Sequence, residues 1–292
     1  MPAVTEKIMK IIFLLSGMAI IFFLAGIMFI LLSNSIPAFE AIGLKPFFTD
    51  GVWRPSAFAE PTYSLLNMIL GTFMVTAGAL AFAVPVGIAA AAYLSEVASP
   101  WEREIFKPIV EILAGIPSVV LGFIGLVVLA PLLAAVFNIP SGINALNGAI
   151  LVGIMALPTI ITLAEDAITA IPTEYRHASL ALGATRWQTI WKVTVPAAFS
   201  GITAAAMLGM GRAIGETMTV LMVTGNMIAR PSSYLDSVRT LSANIAIEIG
   251  DVVFNSLHFH ALFVVGLVLF LITFIVNLLA DILIHRKPGV NR

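Results

Sequence analysis

The stretch IPTEYRHASLALGATRWQTIWKVTVP, residues 171–196, separates two long apolar runs and decides how the chain is organised. Pro172 is suited to opening a helix, because its missing N–H belongs to a turn in which that group has no helical partner. Gly183 fits the left-handed cap that ends a helix, where a side chain would clash. The first half of the stretch therefore predicts a short helix that ends at a glycine corner.

A second short helix is predicted after this corner. Thr185 and Gln188 have the spacing of a capping box, in which each side chain binds the backbone N–H of the other residue. Pro196 should end the helix, because its ring clashes with the preceding turn. The unit would lie on the inner membrane surface, with three apolar side chains toward lipid or a partner: Trp187, Ile190 and Trp191.

The rest of the chain has the composition of a bilayer protein. Of its 292 residues, 60% are hydrophobic and 11% are charged, whereas a soluble domain carries about a quarter charged residues. A spanning helix needs about 20 mostly apolar residues, and six runs qualify: 8–35, 68–94, 108–137, 146–165, 197–228 and 258–284. We therefore predict an all-α integral membrane protein with six transmembrane helices. The long third run suggests a kink at Pro117 or Pro131.

The basic residues predict the orientation, since cytoplasmic loops carry an excess of Lys and Arg. With both termini in the cytoplasm, the inner side holds Lys7, Lys10, Arg103, Lys107, Arg176, Arg186, Lys192, Arg286, Lys287 and Arg292. The outer side then holds only Lys45, Arg54, Arg230 and Arg239. We expect a cell-membrane protein with a first helix over 1–36, an outer loop over 37–67, a five-helix core over 68–284 that contains the inner loop 166–196, and a cytoplasmic tail over 285–292.

Two charged residues interrupt the fifth run. Arg212 and Glu216 lie in GMGRAIGETMTV, residues 209–220. A charged residue at the bilayer centre costs about 2.5–3.5 kcal/mol on insertion scales, so such residues face the bundle interior or an aqueous cavity. At positions i and i+4 of a helix the two side chains share a face and can pair. One interpretation is an internal ion pair that fixes helix register, although apolar residues would pack as well without the desolvation cost.

The other interpretation is an anion path. A guanidinium presents a planar set of donors that matches a tetrahedral oxyanion. Phosphate near neutral pH still carries a proton, so Glu216 would accept its O–H, which sulfate and tungstate largely lack. Glu216 would also neutralise Arg212, because conduction needs weak binding. Asn226 follows this face by about three turns, which leaves it either a ligand or a helix-packing residue.

The spacing within residues 171–196 resembles the EAA loop of ABC-importer permeases: an acidic residue, two small residues, three spacers, Gly, nine spacers, then aliphatic-x-aliphatic-Pro. The matching positions are His177, Ala178, Ser179, Gly183, Val193, Val195 and Pro196. The resemblance implies that this loop, Ala184 included, docks into a groove on a cytosolic ATPase and transmits its closure. His177 replaces the acidic residue of the family, and Glu174, about one turn earlier, is a candidate to take over its polar contact.

A narrower resemblance concerns GRAIGETMTVLMVTGN, residues 211–226, which looks like the corresponding span of the C-type permease subunit of the phosphate-specific ABC importer. Three further stretches resemble that family: GTFMVTAGALAFAVPVGIAAAAYLSE (71–96), EILAGIPSVVLGFIGL (111–126) and ALFVVGLVLFLITFIVNLLA (261–280). The resemblance implies a type I importer permease fold and a role for Arg212 and Glu216 in phosphate passage. Thr217 and Asn226 are our further candidates for the substrate path. The resemblance also implies four kinds of partner: a related A-type permease, two ATPase subunits, an extracytoplasmic phosphate-binding protein and membrane lipids.

The chain is thus interpreted as the permease subunit of an ATP-driven phosphate importer and not as an enzyme itself. It has no phosphate-binding loop of the G-x-x-x-x-G-K-[ST] type, so ATP and Mg would belong to the partner ATPase and no cofactor is expected here. His258 and His260 point to different sides of a helix, so no metal site is predicted. Two alternatives stay open: a tungstate or molybdate importer permease, and a stand-alone proton-coupled anion carrier that uses Glu216 as its proton site.

Overall fold

The fold is known from a computed structural model, which describes residues 2–57 and 59–286. Those residues are mostly helical, as predicted, and carry one short antiparallel hairpin of Trp53–Arg54 (β1) and Thr62–Tyr63 (β2). Five helices are long and apolar enough to cross a membrane, and a sixth span results if one sharply bent pair is counted. Most of the predicted tail over 285–292 lies outside the described residues.

The helices follow one another in this order: α1 (Pro2–Ile42), α2 (Leu66–Glu96), α3 (Pro100–Gly115), α4 (Ser118–Ile124), α5 (Ala130–Phe137), α6 (Ala145–Thr169), α7 (Thr173–Ala181), α8 (Arg186–Thr189), α9 (Val195–Ala197), α10 (Phe199–Gly215), α11 (Met218–Val223), α12 (Leu241–Glu248) and α13 (Leu257–Arg286). A 3-10 turn covers Lys45–Phe48, and π-turns cover Gly125–Leu129 and Ile190–Thr194.

The bundle has two ends, which we name by their loops. The hairpin end carries the segment 43–65 and the segment 224–256. The corner end carries the α2–α3 turn and the loop 170–198. At the hairpin end Phe47, Trp53 and Tyr63 are buried, and their cluster includes residues of α13. The aromatic segment is therefore a packed cap.

The centre of the bundle is the pair α2 and α6, which α10 joins. A Cβ on Gly87 would lie 2.6 Å from Cγ2 of Ile160, and a Cβ on Gly78 would lie 2.8 Å from the Cβ of Ala149. These glycines therefore let the two backbones approach closely. α1 packs on α13 at the periphery, where most of its side chains are exposed.

The third span differs from its predicted range, 108–137. The spanning helix is 118–137, and α3 is a separate helix that ends at Gly115. A proline disfavours the helical conformation of the residue before it, and Ile116 accordingly has φ −67° and ψ 126°. We call residues 115–117 the apolar break. Pro131, the other expected kink, follows the π-turn, in which the N–H of Ala130 reaches the carbonyl of Gly125.

The fifth span, predicted as 197–228, is also interrupted. α10 starts at Phe199, where the chain turns by 71° from the preceding helical segment 186–197. It ends at Gly215, and α11 carries the chain only to Val223. We call residues 215–217 the charged break.

Candidate substrate path and coupling corner

The charged break has a defined backbone. Glu216 is extended, with φ −64° and ψ 128°, and its N–H donates to the carbonyl of Ala213 at 3.4 Å. The buried Thr219 that follows contacts Met155 of α6, which lies ten residues into that helix, about 15 Å from its start. The break therefore lies within the depth of the bundle and not at its surface loops.

Hydrogen bonds satisfy the backbone groups that the break frees. Oε1 of Glu216 accepts from the N–H of Thr219 at 3.1 Å, and the carbonyl of Glu216 accepts from Oγ of Ser242 at 2.8 Å. Oγ1 of Thr217 donates to the carbonyl of Gly215 at 3.1 Å. Unpaired backbone groups away from water are costly, so these side chains stabilise the interruption.

Arg212 lies on the last turn of α10, three residues before the helix ends. Its side chain is exposed on the surface of the isolated chain and forms no hydrogen bond or ion pair with any residue that the structure describes. All donors of its guanidinium are thus available to a ligand or to another chain.

The ion pair of Arg212 with Glu216, one of the two interpretations of the sequence, does not form in this structure. It requires a continuous helix through residues 209–220, and α10 ends one residue too early. The carboxylate instead binds the first turn of α11, where backbone N–H groups and the helix dipole favour negative charge. An exposed i, i+4 ion pair contributes only about 0.2–0.5 kcal/mol, so this capping interaction can outweigh it.

The two breaks meet at Thr219. Its Oγ1 donates to the carbonyl of Ser118, the first residue of α4, at 3.0 Å. α4 and α11 pack closely, since a Cβ on Gly122 would lie 3.3 Å from the Cα of Thr219. Thr219 could not be predicted from the sequence, because a threonine in an apolar run carries no spacing signal.

The other two predicted path residues, Thr217 and Asn226, lie in different parts of the structure. Thr217 is half-buried beside Glu216. Asn226 lies at the hairpin end with φ 54°; its Nδ2 donates to the carbonyl of Leu221, and its own carbonyl accepts from Nε of Arg239. The expectation that it shares a helix face with Arg212 is wrong, because α10 and α11 both end between the two residues.

The corner has the predicted helix, glycine, helix form. α7 begins directly after Pro172, and Gly183 has φ 86° in the left-handed region. The capping box is present in both directions: the N–H of Gln188 donates to Oγ1 of Thr185 at 3.2 Å, and the N–H of Thr185 donates to Oε1 of Gln188 at 2.9 Å. These local predictions are confirmed.

Pro196 does not end the second helix, contrary to the prediction. The helical path continues through the π-turn and α9 as far as Ala197. In the π-turn the N–H of Val195 reaches back to the carbonyl of Ile190. This wider turn gives the proline ring room that a regular helix would not. Ile190 is buried rather than facing lipid, whereas Trp187 and Trp191 are exposed.

Most of the predicted coupling residues lie on the outward surface of the corner. Ala184 is half-buried and Ser179 is buried. The other five are exposed: Glu174, His177, Ala178, Gly183 and Pro196. Oγ of Ser179 lies 2.9 Å from Oγ1 of Thr189 and so joins α7 to α8. Leu182, between them, is 90% exposed. The corner therefore presents a mixed polar and apolar surface, on which Leu182 is the most exposed large apolar side chain.

An ion pair that the sequence analysis missed attaches the corner to the bundle. Nε and Nη2 of Arg176 donate to the carboxylate of Glu96 at the end of α2, the shortest contact being 2.6 Å. The same guanidinium donates to the carbonyls of Ile171 and Ile168 at 2.7 and 3.1 Å. The two charged residues are 80 positions apart, so no local spacing could indicate the pair.

The two histidines of α13 have separate partners. Nε2 of His258 lies 2.8 Å from Oε2 of Glu248, whereas Nδ1 of His260 lies 2.8 Å from the carbonyl of Asn34. Among residues 2–57 and 59–286, no group of three or more potential ligand side chains is placed to hold a metal ion.

A helical membrane protein with an interrupted, charge-bearing span and an exposed corner between spans has the architecture of a transporter permease. The sequence confirms this class, because residues 83–287 match the family model of the binding-protein-dependent transport system inner membrane component. The chain belongs to this family of ABC importer permeases and is a multi-pass membrane protein.

Several relatives of known name are similar in sequence to most of this chain. The chain is 41% identical to the probable ABC transporter permease protein YqgH of Bacillus subtilis over 87% of its length and 82% of the relative. It is 33% identical to the phosphate transport system permease protein PstC of Xylella fastidiosa, covering 83% of this chain and 80% of the relative. It is 32% identical to the PstC protein of Mesorhizobium japonicum, covering 97% and 91%.

Solved structures agree on the fold. An inward-facing structure of the MetNI methionine ABC transporter aligns with a TM-score of 0.58 at 20% identity, over 76% of this chain and 94% of that one. A bacterial ABC transporter that imports the acidic polysaccharide alginate aligns with a TM-score of 0.57 at 16% identity, over 76% and 79%. The fold is therefore that of the type I ABC importer permeases.

Proposed function

We propose that this permease imports inorganic phosphate and that the anion passes Arg212, Glu216 and Thr217. The observation that carries the proposal is the Arg212 side chain, exposed and unpaired within the described residues on an apolar span. Relatives named as phosphate permeases support the choice of anion. Asn226, which follows the end of α11, stays outside the proposed path.

A second permease covers this face in the proposed complex. An arginine that faced lipid would carry an insertion cost of about 2.5–3.5 kcal/mol, so the exposed face requires a polar or aqueous boundary. A path between two permeases supplies one. The guanidinium then offers its planar donors to phosphate, while the carboxylate of Glu216 accepts the proton that phosphate still carries.

The corner end faces the cytoplasm in this proposal, and the hairpin end faces outward toward a phosphate-binding protein. The proposed complex contains two copies of a cytosolic ATPase subunit. The exposed residues of α7, together with Leu182, then dock into a groove on one of them. The Arg176–Glu96 pair passes the movement of the ATPase directly to α2. Both members are largely buried, and removing one partner of such a pair costs about 3–5 kcal/mol, so the corner moves with the helix.

Uptake of labelled phosphate tests the substrate, with unlabelled phosphate, sulfate and tungstate as competitors. Cells that lack other phosphate importers would express the chain with its proposed partners. We expect ATP-dependent uptake that unlabelled phosphate suppresses and sulfate does not. Uptake of labelled tungstate with none of labelled phosphate would reassign the substrate, and uptake that follows the proton gradient without ATP would support a stand-alone carrier.

Leu182→Asp tests the docking surface. We expect the ATPase to be lost from the purified complex, because a charge replaces the protruding apolar side chain. Leu44→Asp is the matched control, since Leu44 is also exposed but lies at the hairpin end. Retention of the ATPase by the Leu182 variant, or its loss from both variants, would contradict docking at the corner.

A further inference from the structure

α12 links the charged break to a polar cluster at the hairpin end. The helix has eight residues, Leu241–Glu248, and so a length of about 12 Å. Its first turn contacts Glu216 and its last residue contacts the hairpin. One short rigid element therefore touches both regions.

The first turn of α12 is held on two sides. Ser242 is buried and donates its hydroxyl to the carbonyl of Glu216 at 2.8 Å. The N–H of Leu241 donates to Oγ1 of Thr72 on α2 at 3.0 Å. The start of α12 is thus fixed against both the central helix and the break.

The last residue of α12 gathers three other segments. The carboxylate of Glu248 accepts from Nε1 of Trp53 at 2.8 Å and from Nη1 of Arg239 at 3.1 Å, and it lies 2.8 Å from Nε2 of His258. These partners belong to the hairpin, the segment after α11 and the start of α13. The side chain of Glu248 is only 17% exposed, so a displacement of the hairpin acts on the end of α12.

The hydrogen bond from Ser242 favours one of two arrangements of Glu216. The largest departure from helical geometry is the ψ of 128° at Glu216, and Thr217 follows with φ −118° and ψ −56° before α11 begins. In a continuous helix the carbonyl of Glu216 would accept from the N–H of Val220, and its carboxylate would stand at i+4 from Arg212. Ser242 binds the carbonyl in the extended arrangement and so keeps the carboxylate away from Arg212.

We propose that α12 is the element through which the hairpin end controls Glu216, with Ser242 and Glu248 as positioning residues. Ser242 holds the break open, and Glu248 fixes the helix that carries Ser242. A displacement of the hairpin moves Trp53 and, through its bond to Glu248, the end of α12; the helix passes this displacement to the carbonyl of Glu216. The inference rests on the proposed role of Glu216 in the path and adds a means of controlling it from the outer side.

A double-mutant cycle in the full complex tests the linkage. Ser242→Ala and Glu248→Gln should each lower maximal phosphate uptake about threefold to tenfold, the effect of one lost hydrogen bond. Maximal uptake by the double variant should be no lower than that of the less active single variant, because both changes interrupt one linkage. The two residues are about 9 Å apart along the helix, a separation at which independent effects add. Losses that multiply would overturn the proposal.

Two control variants separate positioning from general damage. Ser242→Thr retains the hydroxyl and should restore uptake, whereas equal losses in the Thr and Ala variants would contradict the proposed bond. Ser33→Ala removes a serine hydroxyl that binds only the carbonyl of Ile30 within its own helix, and it should transport like the wild type. Membrane levels of the complex are compared for every variant.

A labelling measurement makes the test independent of the substrate. The chain has no cysteine, so Met218→Cys would give it a single thiol beside the break, at a position 44% exposed. In this background Ser242→Ala and Glu248→Gln should change the maleimide labelling rate in the same direction, each by at least about threefold. Unchanged rates would overturn the linkage. Changed rates in a complex that does not import phosphate would refute the proposed substrate and leave the linkage standing.

Discussion

The two breaks have nearly the same backbone but different causes. Ile116 has φ −67° and ψ 126°, and Glu216 has φ −64° and ψ 128°. In each, the N–H donates to the carbonyl three residues back at 3.4 Å. The apolar break follows from Pro117, whose ring constrains the preceding residue. The charged break has no proline and depends on hydrogen bonds from Thr219 and Ser242.

The comparison shows that the same backbone conformation can be imposed by a local covalent constraint or can depend on hydrogen bonds from other parts of the structure. A proline constrains its neighbour in every tertiary setting, whereas hydrogen bonds of about 1 kcal/mol each are lost when their donors move. The charged break is therefore the one able to respond when neighbouring helices move, and it is the one that carries Glu216. The contact of Thr219 with Ser118 places it directly against the fixed break.

Arg212→Ala should have the largest effect at the charged break. We expect phosphate uptake to fall about tenfold to a hundredfold, the range for losing a hydrogen bond to a charged group. Arg212→Lys should recover only part of the activity, since the ammonium lacks the planar fork. Arg54→Ala, at an exposed arginine of the hairpin, is the control. Normal uptake by Arg212→Ala would remove Arg212 from the path.

Glu216→Gln tests the charge separately from the break. The amide oxygen can still accept from the N–H of Thr219, so we expect the backbone to persist while uptake falls about tenfold. Discrimination of phosphate from tungstate should also weaken, because a neutral amide is a poorer acceptor for the phosphate proton. Competition assays measure both effects. Unchanged discrimination would contradict proton recognition by Glu216.

Thr219→Val tests the contact between the breaks. The valine keeps the shape but leaves the carbonyl of Ser118 without its donor, which should lower the free energy of unfolding by about 1–2 kcal/mol. Thermal unfolding of the purified complex measures the change. Thr203→Val is the control, because Oγ1 of Thr203 is exposed and binds only within α10. Equal stability of the two variants would show that the contact contributes nothing.

Pro117→Ala should have the smallest effect. The alanine can adopt the angles of Pro117, φ −60° and ψ 137°, and the bond from Thr219 to the carbonyl of Ser118 still holds the chain beside Ile116, so stability should fall by only about 0.4–1 kcal/mol through the greater entropy of the unfolded chain. Uptake should stay within a factor of two or so of the wild type. A large loss of uptake at unchanged complex levels would show that the apolar break also needs its rigidity during transport.

Features set by neighbouring residues were predictable from the sequence. Gly183, Thr185 and Gln188 lie within a few positions of one another, and the bonds they form are as expected. Features set by distant residues were not. Nothing in the local pattern links Arg176 to Glu96 or Glu248 to Trp53, because each pair joins separate helices or loops.

Glu216 illustrates how a sequence can mark a residue as unusual without revealing which group it contacts. Its type and position mark it as exceptional in an apolar span, and both are legible in the sequence. Its partner is not, since pairing with Arg212 and capping α11 differ by about the strength of one hydrogen bond. The hydroxyl of Ser242, 26 positions away, favours the extended arrangement of Glu216 once the folded chain brings the two residues together.

The sequence by itself determined that this chain is a helical membrane permease with a helix, glycine, helix corner. Apolar run length and caps act locally and over many residues, so their sum is decisive. The tertiary structure decided where the third and fifth spans are interrupted and which groups hold those breaks. Competing interactions of similar strength meet at such sites, and the neighbours that other helices supply determine which of them forms.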